Sequence, residues 1–197
     1  MPNMLRRIAQ RNVIRQEHLD ASPVNIRFLS RFVDRLVVNV RDPRQATLSW
    51  LHHVNRLLKE YPEAPNYTIH SEPDGYTEWP LDRQLDWHID TQLRSSVEWL
   101  RGWTAYVDGD CRLKILFTRY EDMVEDEASF LENIIDFFEI PRSAFKYTPA
   151  EKTAQNNFRK GMVDEWIGVF NAGQKALSAE MIGPDLMSRF GWAQPER

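Results

Sequence analysis

The stretch Leu36-Val37-Val38-Asn39-Val40-Arg41-Asp42-Pro43-Arg44-Gln45-Ala46-Thr47-Leu48-Ser49-Trp50 decides the fold. Residues 36–40 are a short β-branched run of the kind that forms a buried strand. Leu48, Leu51, Val54, Leu57 and Leu58 then recur at helical spacing. Arg41-Asp42-Pro43-Arg44 leaves room between them only for a tight charged turn, so the stretch predicts strand, turn and helix. In an open parallel sheet the carboxyl ends of the strands face the ligand crevice, which puts Arg41 at the crevice edge. Ser49 falls about two turns into the helix, on a face near that of Pro43 and Gln45. An arginine, a serine hydroxyl and the N–H groups of a helix start together suit a phosphate-like anion.

Reading outward, the same alternation returns on both sides. Residues 4–10 predict a short basic helix, and residues 12–16, with Val13 and Ile14, suit a strand that delivers Glu17, His18 and Asp20 to its end. Ser22-Pro23 is a helix-start signal, followed by an apolar face of Ile26, Leu29, Phe32 and Val33. The helix after the opening turn is expected over 44–61. Residues 112–118 give a third strand, running into Arg119-Tyr120-Glu121-Asp122-Met123, and 126–139 a strongly apolar helix stopped by Pro141. Strands and helices alternating in this way predict an α/β fold: a three-layer α/β/α arrangement around a mainly parallel sheet.

Other segments organise the rest as one expected domain over 1–197. Residues 62–80 have no apolar period and form a loop long enough for a lid. Residues 81–107 carry Leu85, Ile89, Leu93, Val97 and Leu100 and predict one long amphipathic helix, with Asp108-Gly109-Asp110 turning the chain after it. After a polar stretch over 143–157, Arg159-Lys160-Gly161 precedes a helix over 163–170, where two cations beside a glycine suit an anion clamp. Residues 172–197, with Gly183-Pro184, read as short C-terminal helices covering the core.

Bulk composition sets the limits. The 197 residues are 42% hydrophobic and 27% charged, enough for one substantial core. A net charge of −4 argues against a general affinity for nucleic acid. Cys111 is the single cysteine, so no intrachain disulfide can form, and a reducing cytoplasm is the expected compartment. The first residues lack the apolar core of a signal peptide and no run is long enough to span a bilayer, so no membrane partner is expected. Nothing in the residue pattern calls for a metal.

Val40-Arg41-Asp42-Pro43-Arg44 with Ser49, then Arg119-Tyr120-Glu121-Asp122-Met123, then Phe158-Arg159-Lys160-Gly161 with Trp166 and Phe170, resemble the sulfotransferases that use 3′-phosphoadenosine 5′-phosphosulfate (PAPS). The resemblance covers about residues 12–171. It implies transfer of a sulfuryl group to a hydroxyl or amine of a small-molecule or glycan acceptor, with 3′-phosphoadenosine 5′-phosphate (PAP) as product. Arg41 and Ser49 would hold the 3′-phosphate, and Arg159, Lys160 and Gly161 would close over it. Tyr120 would lie against the adenine. His18 matches the family's catalytic histidine, a general base for the acceptor proton. Glu17 and Asp20 are rival bases, since some branches of the family use a carboxylate.

Two departures qualify what is carried over. Asp164-Glu165 stands before Trp166 where the family usually has Gly-Asp. The family's strand and loop of the Pro-Lys-Ser-Gly-Thr-Thr-Trp type, which cradles the 5′-phosphosulfate, has no counterpart, because residues 1–11 contain no Gly, Ser, Thr or Lys. The expectation is therefore a shortened family member whose sheet is completed by a further N-terminal segment or by a second copy in a homodimer. The alternative is a non-catalytic nucleotide-binding or interaction module built on the same fold. Tyr76, Trp79, Trp87 and His88 are the expected acceptor contacts.

Overall fold

The computed structural model describes residues 17–61, 72–109, 111–149 and 161–192. The basic helix expected over 4–10, the strand over 12–16, the first half of the lid-type loop, Arg159 and Lys160 lie outside the described residues. The chain packs as two compact units. One holds Met1–Val40 and Trp99–Lys152, the other Arg41–Glu98 and Thr153–Arg197.

In the first unit, helix α1 (Pro23–Leu29) starts as the sequence predicts, with the Ser22 hydroxyl accepting from Asn25 N and proline at its first turn. Strand β1 (Arg35–Val40) follows and pairs in parallel with β2 (Lys114–Arg119), in a register that sets Asn39 opposite Thr118 and Val40 opposite Arg119. A parallel pair needs a crossover between its strands, here supplied by the intervening helical chain. Val38 and Val40 are buried while Asn39, on the opposite face, accepts from the Thr118 hydroxyl at 3.2 Å. Beyond β2 the chain turns directly into α5 (Tyr120–Glu125) and then α6 (Glu127–Phe137). Asp126 starts α6 by accepting from Ser129 N. Helix α5 is shorter than two turns and carries no apolar period, so it leaves no signature in the sequence.

The second unit is helical. Helix α2 (Pro43–Glu60) buries Leu48, Leu51 and Val54; α3 (Leu81–His88) buries Leu85. Together with Ile89, Trp166 and Phe170, Leu48, Leu51 and Leu85 form one apolar cluster. Burying each such side chain contributes roughly 1.5–3 kcal/mol relative to exposure. Helix α7 (Glu165–Val169) brings Trp166 into that cluster, and α8 (Ala172–Phe190) packs Met181 against it and buries Ile182, Leu186, Met187 and Phe190.

Two helices differ from expectation. The single helix predicted over 81–107 is α3, a wider π turn over Ile89–Leu93, and α4 (Arg94–Asp108). The sequence supplies the reason. Leu85, Ile89 and Leu93 are spaced by four, and each step of four overshoots a 3.6-residue turn by about 40°. The wider turn cancels that drift and keeps all three at 0% exposure. The C-terminal helices form one span broken at Gly183, whose φ of 79° and ψ of 155° belong to no helix; Pro184 then restarts the second half.

Candidate nucleotide site

Within the second unit the charged turn is built around a buried ion pair. Asp42 caps α2, accepting from Arg44 N at 2.9 Å. The Arg44 guanidinium folds back on the same carboxylate, with Nε donating to Oδ1 at 2.9 Å and Nη2 to Oδ2 at 2.6 Å. Arg44 has no exposed surface and Asp42 only 4%. The two arginines of Arg-Asp-Pro-Arg therefore part: Arg44 turns inward, while Arg41 is half-buried and keeps access to solvent. Ser49 is also half-buried, one helical turn beyond Gln45 on the same face.

That face meets α7. Gln45 Oε1 accepts from Trp166 N at 3.2 Å, and the Arg44 guanidinium carbon sits 3.8 Å from the centroid of the Trp166 ring. Five residues before Trp166, Gly161 has a φ of 64°, in the left-handed region that favours glycine. The start of α2, which carries Ser49 and follows Arg41, is thus joined through Arg44 and Gln45 to Trp166, five residues after Gly161. This link lies outside the sequence expectations. Its signal was present as an Asp and an Arg two apart across a helix start, but only the fold shows which ring the guanidinium covers. At Asp164, where the family pattern departs, α7 starts without a side-chain cap.

In the first unit, His18 is exposed. The next carbonyl, that of Leu19, accepts from both Trp99 Nε1 at 2.7 Å and Trp103 Nε1 at 3.1 Å, so two indoles from one face of α4 fix the backbone beside the histidine. Asp20 is engaged locally: its Oδ1 accepts from Ser22 N at 3.0 Å and from Asn25 Nδ2 at 2.7 Å. Those bonds, the Ser22 contacts foremost, hold its carboxyl below the usual carboxylate range. Glu17 is exposed. Tyr120 is half-buried at the start of α5, directly after the Arg119 side chain that pairs with Asp122.

Of the expected acceptor contacts, Tyr76 and His88 are buried at 2% and 0% exposure and bonded to each other, Tyr76 Oη to His88 Nε2, at 2.8 Å. Burial, and secondly the charge of Glu72, push the Tyr76 hydroxyl pKa up, so it stays protonated. Trp79 and Trp87 pack against Tyr76 and keep part of their surface; the Arg83 guanidinium stacks on Trp79 at 3.9 Å. Among the described residues no group of His, Cys, Asp and Glu side chains is placed to hold a metal ion, and no helix is long and apolar enough to cross a membrane.

The comparisons with known proteins bear on this arrangement. The fold is similar to the crystal structure of mouse sulfotransferase SULT7A1 complexed with PAP, with a TM-score of 0.57 and 19% identity over 89% of this chain and 69% of that one. No curated protein matches the chain in sequence. The model of the sulfotransferase domain matches residues 2–188, nearly the whole length. The α/β fold and that match together make the chain a member of the sulfotransferase domain family.

Proposed function

We propose that this chain binds the 3′-phosphoadenosine end of PAPS and PAP through Arg41, Ser49 and Gly161, joined by Arg159 and Lys160. What supports the reading most is the donor set at the start of α2: a solvent-accessible arginine, a serine hydroxyl on the first turns of an 18-residue helix, and a left-handed glycine five residues before Trp166, whose backbone N–H bonds to that helix start. All are hydrogen-bond donors, the chemistry a doubly charged phosphate requires. The PAP complex of the mouse neighbour is of the same chemical class. Tyr120 is assigned to the adenine, where an aromatic face stacks.

PAPS supplies the activated sulfuryl group. In this chain His18 would accept the proton of an acceptor hydroxyl or amine. It is favoured over Asp20, whose Oδ1 accepts from Ser22 and Asn25 and whose lowered pKa makes it a weaker base. Sulfuryl transfer also needs donors around the 5′-phosphosulfate, and no Lys-Ser-Gly-Thr-Thr type of loop occurs in residues 1–197. Slow transfer by this chain alone is the expectation, and nucleotide binding without turnover is the second reading, which that absence favours. A small-molecule or glycan acceptor bearing a hydroxyl or amine, a cytoplasmic setting consistent with the lone Cys111, no nucleic-acid partner, and a homodimer complete the proposal.

The test is a sulfate-transfer assay with PAPS and a panel of phenols, alcohols and amines, alongside PAP calorimetry. Binding with turnover supports the enzyme, binding without turnover the module, and absence of PAP binding removes both.

A further inference from the structure

We propose that Arg44 and Trp166 are positioning residues that set the geometry of the 3′-phosphate site. The inference rests on the nucleotide site proposed above and goes one step deeper into it. Arg44, though part of the same four-residue turn as Arg41, has 0% exposure, so its guanidinium is spent inside the protein.

Its three bonded directions are fixed. Asp42 takes Nε and Nη2 in a fork, and the Arg44 backbone N–H reaches the same carboxylate. The guanidinium carbon held by that fork lies over the Trp166 ring, 3.8 Å from its centroid, while Gln45, the next residue, holds the Trp166 backbone N–H. Asp42 is directly bonded to Arg41 along the chain, Ser49 stands one turn after Gln45, and Gly161 lies five residues before Trp166. The lock thus spans the two segments that carry the phosphate donors, and its orientation decides how they face each other.

A buried ion pair is a poor device for stability alone, because apolar side chains of similar volume do as well or better. What it adds is direction. A guanidinium planar against an aromatic face and forked onto a carboxylate admits one arrangement, whereas apolar packing admits several. Among the described residues, Arg44 Nη1, Gln45 Nε2 and Trp166 Nε1 are buried and find no hydrogen-bond partner, polar groups that apolar packing would not place there. In the positioning role, the pair sets the placement of Arg41, Ser49 and the segment from Gly161 to Trp166.

The experiment compares PAP with adenosine 5′-monophosphate, which lacks the 3′-phosphate, by calorimetry on the full chain. Asp42→Asn with Arg44→Met keeps a helix cap and the side-chain volume but removes the lock. Trp166→Leu removes the ring and Trp166→Phe keeps a ring face. The expected result is that the double variant and Trp166→Leu bind PAP at least about tenfold more weakly with little change toward the monophosphate, while Trp166→Phe stays within about threefold of wild type. A merely structural role would instead weaken both nucleotides in step with the thermal midpoint. If the double variant fails to fold, the Phe and Leu variants at 166 carry the same contrast. Retention of the wild-type preference for PAP in Trp166→Leu overturns the inference. Absence of that preference in the wild-type chain overturns the nucleotide site itself.

Discussion

Arg41 and Arg44 stand three residues apart in one turn, yet one reaches solvent and the other is sealed against Asp42 and Trp166. The strand, turn and helix that carry Arg41 and Ser49 were legible in the sequence because they need only local geometry. The division of labour between the arginines was not, because it depends on a ring 122 positions away from Arg44 in the chain. The catalytic base is argued at the same scale. If transfer is measurable, His18→Ala should lower turnover by about 100-fold or more while leaving PAP affinity within about twofold. Single-turnover kinetics with PAPS read both quantities, and unchanged turnover would remove His18 from the mechanism. At Gly161, φ of 64° penalises any side chain, so Gly161→Ala should weaken PAP binding without a comparable loss in the thermal midpoint.

At the scale of elements, strand 36–40 and the helix over 44–61 were readable because each buries apolar side chains at its own period, Val38 and Val40 in the strand and Leu48, Leu51 and Val54 in the helix, while strand 112–118 was readable from its run of Leu113, Ile115, Leu116 and Phe117. The π turn over Ile89–Leu93 escaped because steps of four look helical until the drift is summed. Helix α8 offers a test of local chemistry. The Asn171 side chain accepts from Gln174 N and Gln174 Oε1 accepts from Asn171 N, each at 3.0 Å, a reciprocal cap. Asn171→Ala should cost about 1 kcal/mol in urea unfolding, whereas a loss near zero would mean the cap is redundant. Asp126 predicts a pH effect. Its carboxylate accepts from the Ser129 hydroxyl and N–H, which hold its pKa below the usual carboxylate range. The folded pKa is therefore below the unfolded one. The contribution is present above the unfolded value and is lost as pH falls through the folded value, below about pH 4. Asp126→Asn should flatten that acid limb; an unchanged pH profile would contradict the assignment.

For the whole molecule, the α/β class followed from alternation, but the two compact units did not, since no linker or shift in composition marks Val40–Arg41 or Glu98–Trp99. The second unit carries the core cluster of Leu48, Leu51, Leu85, Ile89, Trp166 and Phe170, and Leu85→Ala there should destabilise by about 2–5 kcal/mol in chemical unfolding. The same unit carries Arg41, Ser49 and Gly161, so a bound nucleotide should stabilise it by mass action, about 2.7 kcal/mol at a hundredfold excess over Kd. The measurement that bears most directly on the central claim is calorimetric titration of the full chain, wild type and Arg41→Ala, with PAP and with adenosine 5′-monophosphate. The 3′-phosphate site predicts that wild type prefers PAP by about 100-fold and that Arg41→Ala loses most of that preference. Equal affinity for the two nucleotides, or a preference that survives Arg41→Ala, would contradict it.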